Sequence, residues 1–291
     1  MNGAMPRPSL SLIIITRDNA RTLRRCLDSA DFVDEKFLID NGSGDETLAI
    51  AKAAGCHITV TEDFPGFSAQ KQRALDQVTS EWVLALDADE WIETPLKTEM
   101  LAALESPGDA VAFDMPRHSS FCGRLLRHGD WGRDRVVRLI RRDRAHYDNA
   151  LVHDRIHVDG RIGALKSPLL HEAVFDLDHA LWRMNLYSTM TALERYRAGR
   201  TTSLPSALGH GFWMFLRNYI LRGGFRDGPE GLLQALTAGE GSFYRYAKLS
   251  LMNRRNQQPP IGRTLPEPFQ PARSSSPNSA GSYSGDHKGS A

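Results

Sequence analysis

The segment Leu84-Ala-Leu-Asp87-Ala-Asp89-Glu90 closes an apolar run with two carboxylates two residues apart. Like charges held that close repel in a low dielectric, so the pair favours a cation between or beside them. Magnesium or manganese suits such oxygen donors, because both keep coordination positions open for phosphate oxygens. A solvated acidic turn after a strand is the alternative, since Asp-x-Asp is a common pattern. Another acid, Asp40, follows Lys36-Phe-Leu-Ile39 and precedes Asn41-Gly-Ser-Gly-Asp45. Its carboxylate can accept hydrogen bonds from a base edge or a ribose hydroxyl, whereas Asp45 reads as the N-cap of the helix that follows. Between Arg117 and Arg144 the chain carries nine arginines against three acids. Guanidinium groups suit phosphate through paired, charge-assisted bonds. Most of the nine read as solvated surface, with Arg138 and Arg141 singled out for phosphate contact.

These side chains need a scaffold, and the hydrophobic periods supply one. Leu10-Ser-Leu-Ile-Ile-Ile15 reads as a strand, residues 19–30 as a helix with Leu23, Cys26 and Leu27 on one face, and residues 36–40 as a second strand. Residues 45–54 read as a helix stopped by Gly55, 57–61 as a strand, 68–78 as a helix and 81–87 as a fourth strand. Alternation in this order implies an α/β fold with a mainly parallel sheet covered on both faces. Such sheets bind ligands at the carboxyl ends of their strands, where Asp40, Asp87 and the polar Thr16-Arg17-Asp18-Asn19 stand. No glycine-rich loop follows the first strand, which argues against a dinucleotide-dependent dehydrogenase. Trp91 stands where an Asp-x-Asp phosphatase needs a small hydroxyl residue or valine.

Further on, residues 177–199 read as an amphipathic helix, 206–222 as a strongly apolar segment and 229–252 as another helix, with a tail rich in Pro, Ser and Gly from 253. That tail is expected to be disordered. The apolar segment has two readings: a core helix, or an interfacial one with Phe212, Trp213 and Phe215 inserted in lipid and Arg217 and Arg222 at the headgroups. The 291 residues hold 36 Lys+Arg against 35 Asp+Glu, a net charge of +1, which argues against binding nucleic acid along the chain. Three cysteines without a paired pattern exclude a disulfide scaffold or cysteine zinc site and fit a reducing compartment. No run approaches ~20 uninterrupted apolar residues, and the N-terminus lacks the features of a secretory signal. A cytoplasmic protein without a spanning helix is expected.

The ordered series Ile15-Thr-Arg-Asp18, Ile39-Asp-Asn-Gly-Ser-Gly-Asp45, Phe64-Pro-Gly-Phe67, Gln70-Lys71 and Glu81-Trp-Val-Leu-Ala-Leu-Asp-Ala-Asp-Glu90 resembles the family 2 glycosyltransferases, which have the GT-A fold. Phe121-Cys-Gly123, His128-Gly-Asp-Trp131, Arg138-Leu-Ile-Arg-Arg142, Val152-His153, Leu169-Leu-His171 and Tyr246-Ala-Lys-Leu249 continue it, over nearly all of residues 9–252. Within the family it is similar to the branch that adds glucose to the heptose of the lipopolysaccharide inner core. The resemblance implies a GT-A domain over residues 9–172, with a donor half at 9–112 and an acceptor half at 113–172. A short tail at 1–8 precedes it, and a helical extension at 173–252 and the tail at 253–291 follow.

The implied reaction is an inverting, metal-dependent transfer of a hexose from a UDP-sugar to a lipid-linked saccharide acceptor at the inner face of the cytoplasmic membrane. Asp40 would hold the uracil, with Thr16 and Asp18 near the nucleoside and Lys71 beside the diphosphate. Asp87 would face the ribose and the metal, Asp89 would ligate the divalent cation (Mg2+ or Mn2+), and His171 would complete the metal or diphosphate site. Arg138 and Arg141 would contact the acceptor or the diphosphate. The base that takes the acceptor proton would be Asp154, in Val152-His-Asp154 where the family usually has Val-His-Glu, with Asp134 as runner-up. A capsule or exopolysaccharide acceptor, and a sugar-nucleotide-binding protein without turnover, are the rival readings.

Overall fold

The computed structural model describes residues 7–148 and 156–256. Strands β1 (Leu10–Thr16), β2 (Glu35–Asp40), β3 (His57–Val60) and β4 (Trp82–Asp87) alternate with helices α1 (Ala20–Ser29), α2 (Thr47–Ala53) and α3 (Phe67–Gln77). These elements match the expected ones to within about two residues at each end, the usual uncertainty of helix and strand limits. Period-two alternation divides β1 between two cores. Leu10, Leu12 and Ile14 pack with Leu23 and Leu27 of α1, while Ile13 packs with Ala74 and Leu75 of α3 on the other face. In β4, Trp82, Leu84 and Leu86 join the first core and Val83 and Ala85 the second. A strand buried on both faces must be apolar at nearly every position, which is why these segments stand out in the sequence.

The chain continues through β5 (Glu90–Trp91), α4 (Thr94–Glu105), β6 (Ala110–Phe121), β7 (Arg124–Leu125), β8 (Arg135–Arg141), β9 (Ala145–Tyr147), β10 (Ile156–Val158), β11 (Arg161–Ala164) and β12 (Leu169–Val174). The main sheet has the order β3-β2-β1-β4-β8-β6-β12-β5, with β7 and β11 also paired to β6. β1 runs parallel to β2 and β4, in a register that sets Thr16 beside Asp40 and Ile15 beside Asp87. Three strand ends therefore meet at one edge. β8 enters antiparallel between β4 and β6. β12 pairs with β6 and β5, setting His171 opposite Ser119 on one side and Glu90 on the other. The result is the expected mixed α/β architecture with a mainly parallel sheet, followed by a helical C-terminal region.

That region consists of α5 (Leu177–Arg197), α6 (Leu204–Leu216) and α7 (Gly228–Arg255), with a π turn at Arg217–Leu221. The Asp176 side chain caps α5 by accepting the His179 N–H, and Ser203 accepts the Ser206 N–H at the start of α6. Backbones approach closely where these helices meet. A Cβ on Gly211 would lie 2.9 Å from Phe243 Cβ, and one on Gly231 would lie 2.1 Å from the Gly224 carbonyl oxygen. Gly231→Ala should therefore destabilise the protein by ~1–3 kcal/mol through overpacking, outweighing a helix-propensity gain of about 1 kcal/mol. A lowered denaturant midpoint checks this; an unchanged or raised one contradicts the close approach. No helix among the described residues is long and apolar enough to cross a membrane.

Candidate active site

A cleft of about 1020 Å³ opens at the carboxyl edge of β1 and β4. Asp87 and Asp89 form its floor, the β6 and β12 segments one wall, and α5 with α7 the roof. At the end of β4 the Asp87 carboxylate takes Lys71 Nζ at 2.7 Å and an Arg138 terminal nitrogen at 2.6 Å. Burial raises its pKa, but Arg138 and then Lys71 outweigh this and hold the carboxyl well below the usual carboxylate range. Both oxygens are thus engaged by cations of the chain itself.

Asp89 has a different setting. Its Oδ2 lies 3.4 Å from His171 Nε2 and 3.9 Å from an Arg183 terminal nitrogen. Desolvation raises its pKa, and His171 followed by Arg183 brings it below the ordinary value. His171 Nδ1 is 2.9 Å from Ser119 Oγ. The lowered pKa of Asp89 has Nε2 protonated toward it; for the imidazole to ligate a cation there, Nε2 would give up that proton and Nδ1–H would donate to the Ser119 hydroxyl. Among the described residues no cluster of three or more His, Cys, Asp or Glu is placed to hold a metal. One carboxylate and one imidazole nevertheless fit a cation that takes its remaining ligands from water and phosphate.

Two acids, Asp40 at the end of β2 and Asp18 just after β1, hold a turn. Asp40 is fully buried, and its Oδ1 accepts the Gly42 and Ser43 N–H groups at 2.9 and 2.8 Å. Its Oδ2 accepts the Ser43 hydroxyl. Gly42 sits at φ +77°, the left-handed conformation this turn requires. Asp18, itself at φ +52°, lines the cleft and accepts the Gly44 N–H at 2.7 Å. Thr16 is buried at the end of β1, and its hydroxyl oxygen has no hydrogen-bond partner. Glu46, not Asp45, occupies the N-cap of α2, without a side-chain capping bond; from one residue earlier the Asp45 carboxylate accepts the Thr47 N–H and the Ala20 N–H, so it serves the first turns of both α2 and α1.

Asp134 also lines the cleft, and its Oδ2 receives two nitrogens of Arg117, at 2.6 and 2.7 Å. Asp154 and His153 lie outside the described residues. Neither arginine expected at phosphate is among the residues that line the cleft. Arg138 is buried behind Asp87, which it contacts, and makes a bidentate pair with Glu90 at 2.7 and 2.8 Å. Arg141 does not reach the cleft. β8 runs antiparallel to β4, so Arg141 comes to lie opposite Trp82 at the amino end of β4, where it contacts Asp143 and Glu81.

Several residues in or beneath the cleft escape a reading of the sequence. Glu90 is fully buried beneath Asp87. Arg183 of α5 stands beside Asp89. Glu172 accepts from Arg21 and Arg25 at 2.5 and 2.8 Å and so clamps α1 to β12. Arg245 of α7 lines the cleft with its Nε buried and unpartnered; desolvation lowers its pKa, and Arg195 adds to this. Glu90 and Glu172 adjoin motif residues, which is a usable signal. Arg183 and Arg245 are two among many helix arginines, and nothing local marks them.

Known proteins resemble this chain along most of its length. It is 28% identical over 267 residues to the lipopolysaccharide core biosynthesis glycosyltransferase LpsC of Rhizobium meliloti, covering 90% of this chain and 99% of that one. An uncharacterized glycosyltransferase of Rickettsia typhi is 25% identical, over 82% of this chain and 86% of that protein. Among solved structures, Staphylococcus aureus TarS (residues 1–349) matches with 15% identity and a TM-score of 0.42, over 86% of this chain and 92% of that one. The family described as glycosyl transferase family 2 matches residues 11–159, slightly more than half of the chain. With that match joined to an α/β sheet that brings Asp18, Asp87 and Asp89 to one cleft, the chain belongs to glycosyl transferase family 2.

Proposed function

We propose that this glycosyltransferase moves glucose from UDP-glucose, with inversion, onto an inner-core sugar of lipopolysaccharide at the cytoplasmic face of the inner membrane. The observation that carries the reading is the ionised Asp89 beside His171 Nε2, next to the Asp87–Lys71 pair and open to the cleft. Asp89 and His171 would hold Mg2+ or Mn2+, which when bound supplies charge neutralisation for a departing diphosphate. Lys71 and Arg183 place two further cations where that leaving group gains charge, an interaction stronger in the transition state than in the ground state. The Asp18–Gly44 and Asp40–Ser43 bonds fix the turn against which a nucleoside would lie. Asp154 would accept the proton of the attacking hydroxyl. The two Arg117 bonds to Asp134 favour a positioning role for that acid. Arg245, its Nε unpartnered in the cleft, suits an anionic group on the acceptor. The near full-length similarity to LpsC supports the lipopolysaccharide acceptor.

A panel of UDP-sugars assayed for UDP release, with a core-oligosaccharide acceptor and with an exopolysaccharide precursor, tests the proposal. UDP-glucose with the core acceptor should give the highest turnover. Preference for another donor or for the exopolysaccharide precursor removes the substrate assignment. Absence of release from every donor removes the enzymatic one.

A further inference from the structure

Helix α6 is amphipathic in the reverse sense. A helix docked on a core normally turns its largest apolar side chains inward. Here the small residues Ala207 and Gly211 face α7, while Leu208, Phe212 and Trp213 are 60%, 68% and 51% exposed. No Lys, Arg, Asp or Glu occurs between 204 and 216. The exposed apolar surface resumes past the π turn with Ile220, Leu221 and Phe225.

There it borders a hollow of about 500 Å³, whose rim carries Arg127, Arg133 and Arg226 beside those three apolar side chains. All three arginines are exposed, and among the described residues none has a carboxylate within ion-pair distance. Arg217 and Arg222, expected at lipid headgroups from the sequence, are instead both bound to Asp130, at 2.6 and 2.5 Å. His128 is likewise committed, to Asp227.

We infer that the outer face of α6 and this basic hollow form one docking surface for an anionic bilayer, with lipid phosphate groups seated among Arg127, Arg133 and Arg226. Exposed aromatic and aliphatic side chains next to unpaired cations are complementary to the boundary between acyl chains and negative headgroups. A nucleic acid would leave the apolar face uncovered, and the net charge of +1 provides no longer basic track. The surface is also placed to serve the cleft. The turn from 127 to 133 shows Arg127 and Arg133 to the hollow and Asp130 and Trp131 to the cleft, so a docked molecule presents its acceptor side to the membrane. The inference deepens the proposed function by naming the surface on which a lipid-linked acceptor would be met.

Co-sedimentation of the full chain, without donor or acceptor, tests it. Vesicles of phosphatidylcholine with phosphatidylglycerol should bind the protein, and vesicles of phosphatidylcholine alone should bind it far more weakly. The Arg127→Ser/Arg133→Ser/Arg226→Ser variant should lose about a hundredfold in affinity for the anionic vesicles, roughly a factor of five for each basic side chain. Phe212→Ser/Trp213→Ser should lose at least as much, and both variants should keep the parent unfolding midpoint because the altered side chains are exposed. Equal binding to neutral vesicles, full binding by either variant, or no binding to anionic vesicles overturns the inference. UDP release with a water-soluble acceptor and no vesicles is the separate readout for the transferase reading. It should be the same in both variants and the parent, and its failure leaves the vesicle result standing.

Discussion

Asp89→Asn should reduce metal-supported sugar transfer by about a thousandfold, the scale on which removal of one preorganised electrostatic contact acts. The substitution keeps shape and volume and removes only the charge. The backbone there is held independently, since the Asp89 carbonyl accepts the Glu172 N–H at 2.9 Å, so the loop should stay in place. On the proposed metal reading, the affected property is the donor set. An amide oxygen beside His171 Nε2 is a poor match for Mg2+ or Mn2+, and Arg183 at 3.9 Å loses its counter-charge. Manganese titration followed by electron paramagnetic resonance supplies a readout apart from turnover. The parent should show a bound signal in the presence of UDP, and Asp89→Asn should need at least tenfold more metal. His171→Ala should weaken metal binding in the same assay, because it removes the second donor. A variant that retains the parent rate and metal titration would exclude Asp89 as a ligand.

The legible and illegible parts of the molecule differ by the range of the interactions that make them. β1, α1, β2, α2, β3, α3 and β4 follow one another locally, and β1 and β4 advertise themselves as apolar runs because both their faces are covered. Asp40 and Asp87 are therefore placed at strand ends by the residue pattern alone, and Gly55, at φ +73°, reads as the stop of α2. The partnership of Asp89 with His171 depends on β12 pairing with β5 and β6, a contact across more than 80 residues that no local pattern encodes. The same holds for Arg138. In a stretch of nine arginines it reads as a phosphate contact, because the pairing with Glu90 arises only once β8 inserts antiparallel between β4 and β6 and β5 pairs with β12. The outer face of α6 is half-readable. Ala207 and Gly211 are spaced four apart, the signature of a close helix contact, and that spacing favours the large residues facing outward.

Glu90→Gln should cost ~3–5 kcal/mol of stability, the typical consequence of leaving a buried charge without its partner. Glu90 has no exposed surface, and its carboxylate takes Arg138 through two bonds, Arg117 at 3.3 Å and the Asp87 N–H at 3.0 Å. A single neutralised group would thus take a counter-charge from two guanidinium groups, leaving Asp87 beside Arg138 and Asp134 beside Arg117. Asp134→Asn removes a carboxylate that also pairs with Arg117 but is 30% exposed. There the expected cost is at most about 1 kcal/mol, because water takes over the lost contact. Denaturant midpoints of the two variants measure the contrast. Glu90→Leu combined with Arg138→Met separates stability from function. Replacing a buried ion pair by apolar side chains of similar volume is often neutral, so the double variant should recover most of the midpoint. Its transfer rate should stay low, since Asp87 would keep Lys71 but lose the guanidinium that fixes its other oxygen. If Glu90→Gln proves no more costly than Asp134→Asn, the cluster is not what ties β5 to β6 and β8. If instead the double variant regains full activity, Asp87 is oriented by Lys71 alone, and Arg138 has no positioning role in the cleft.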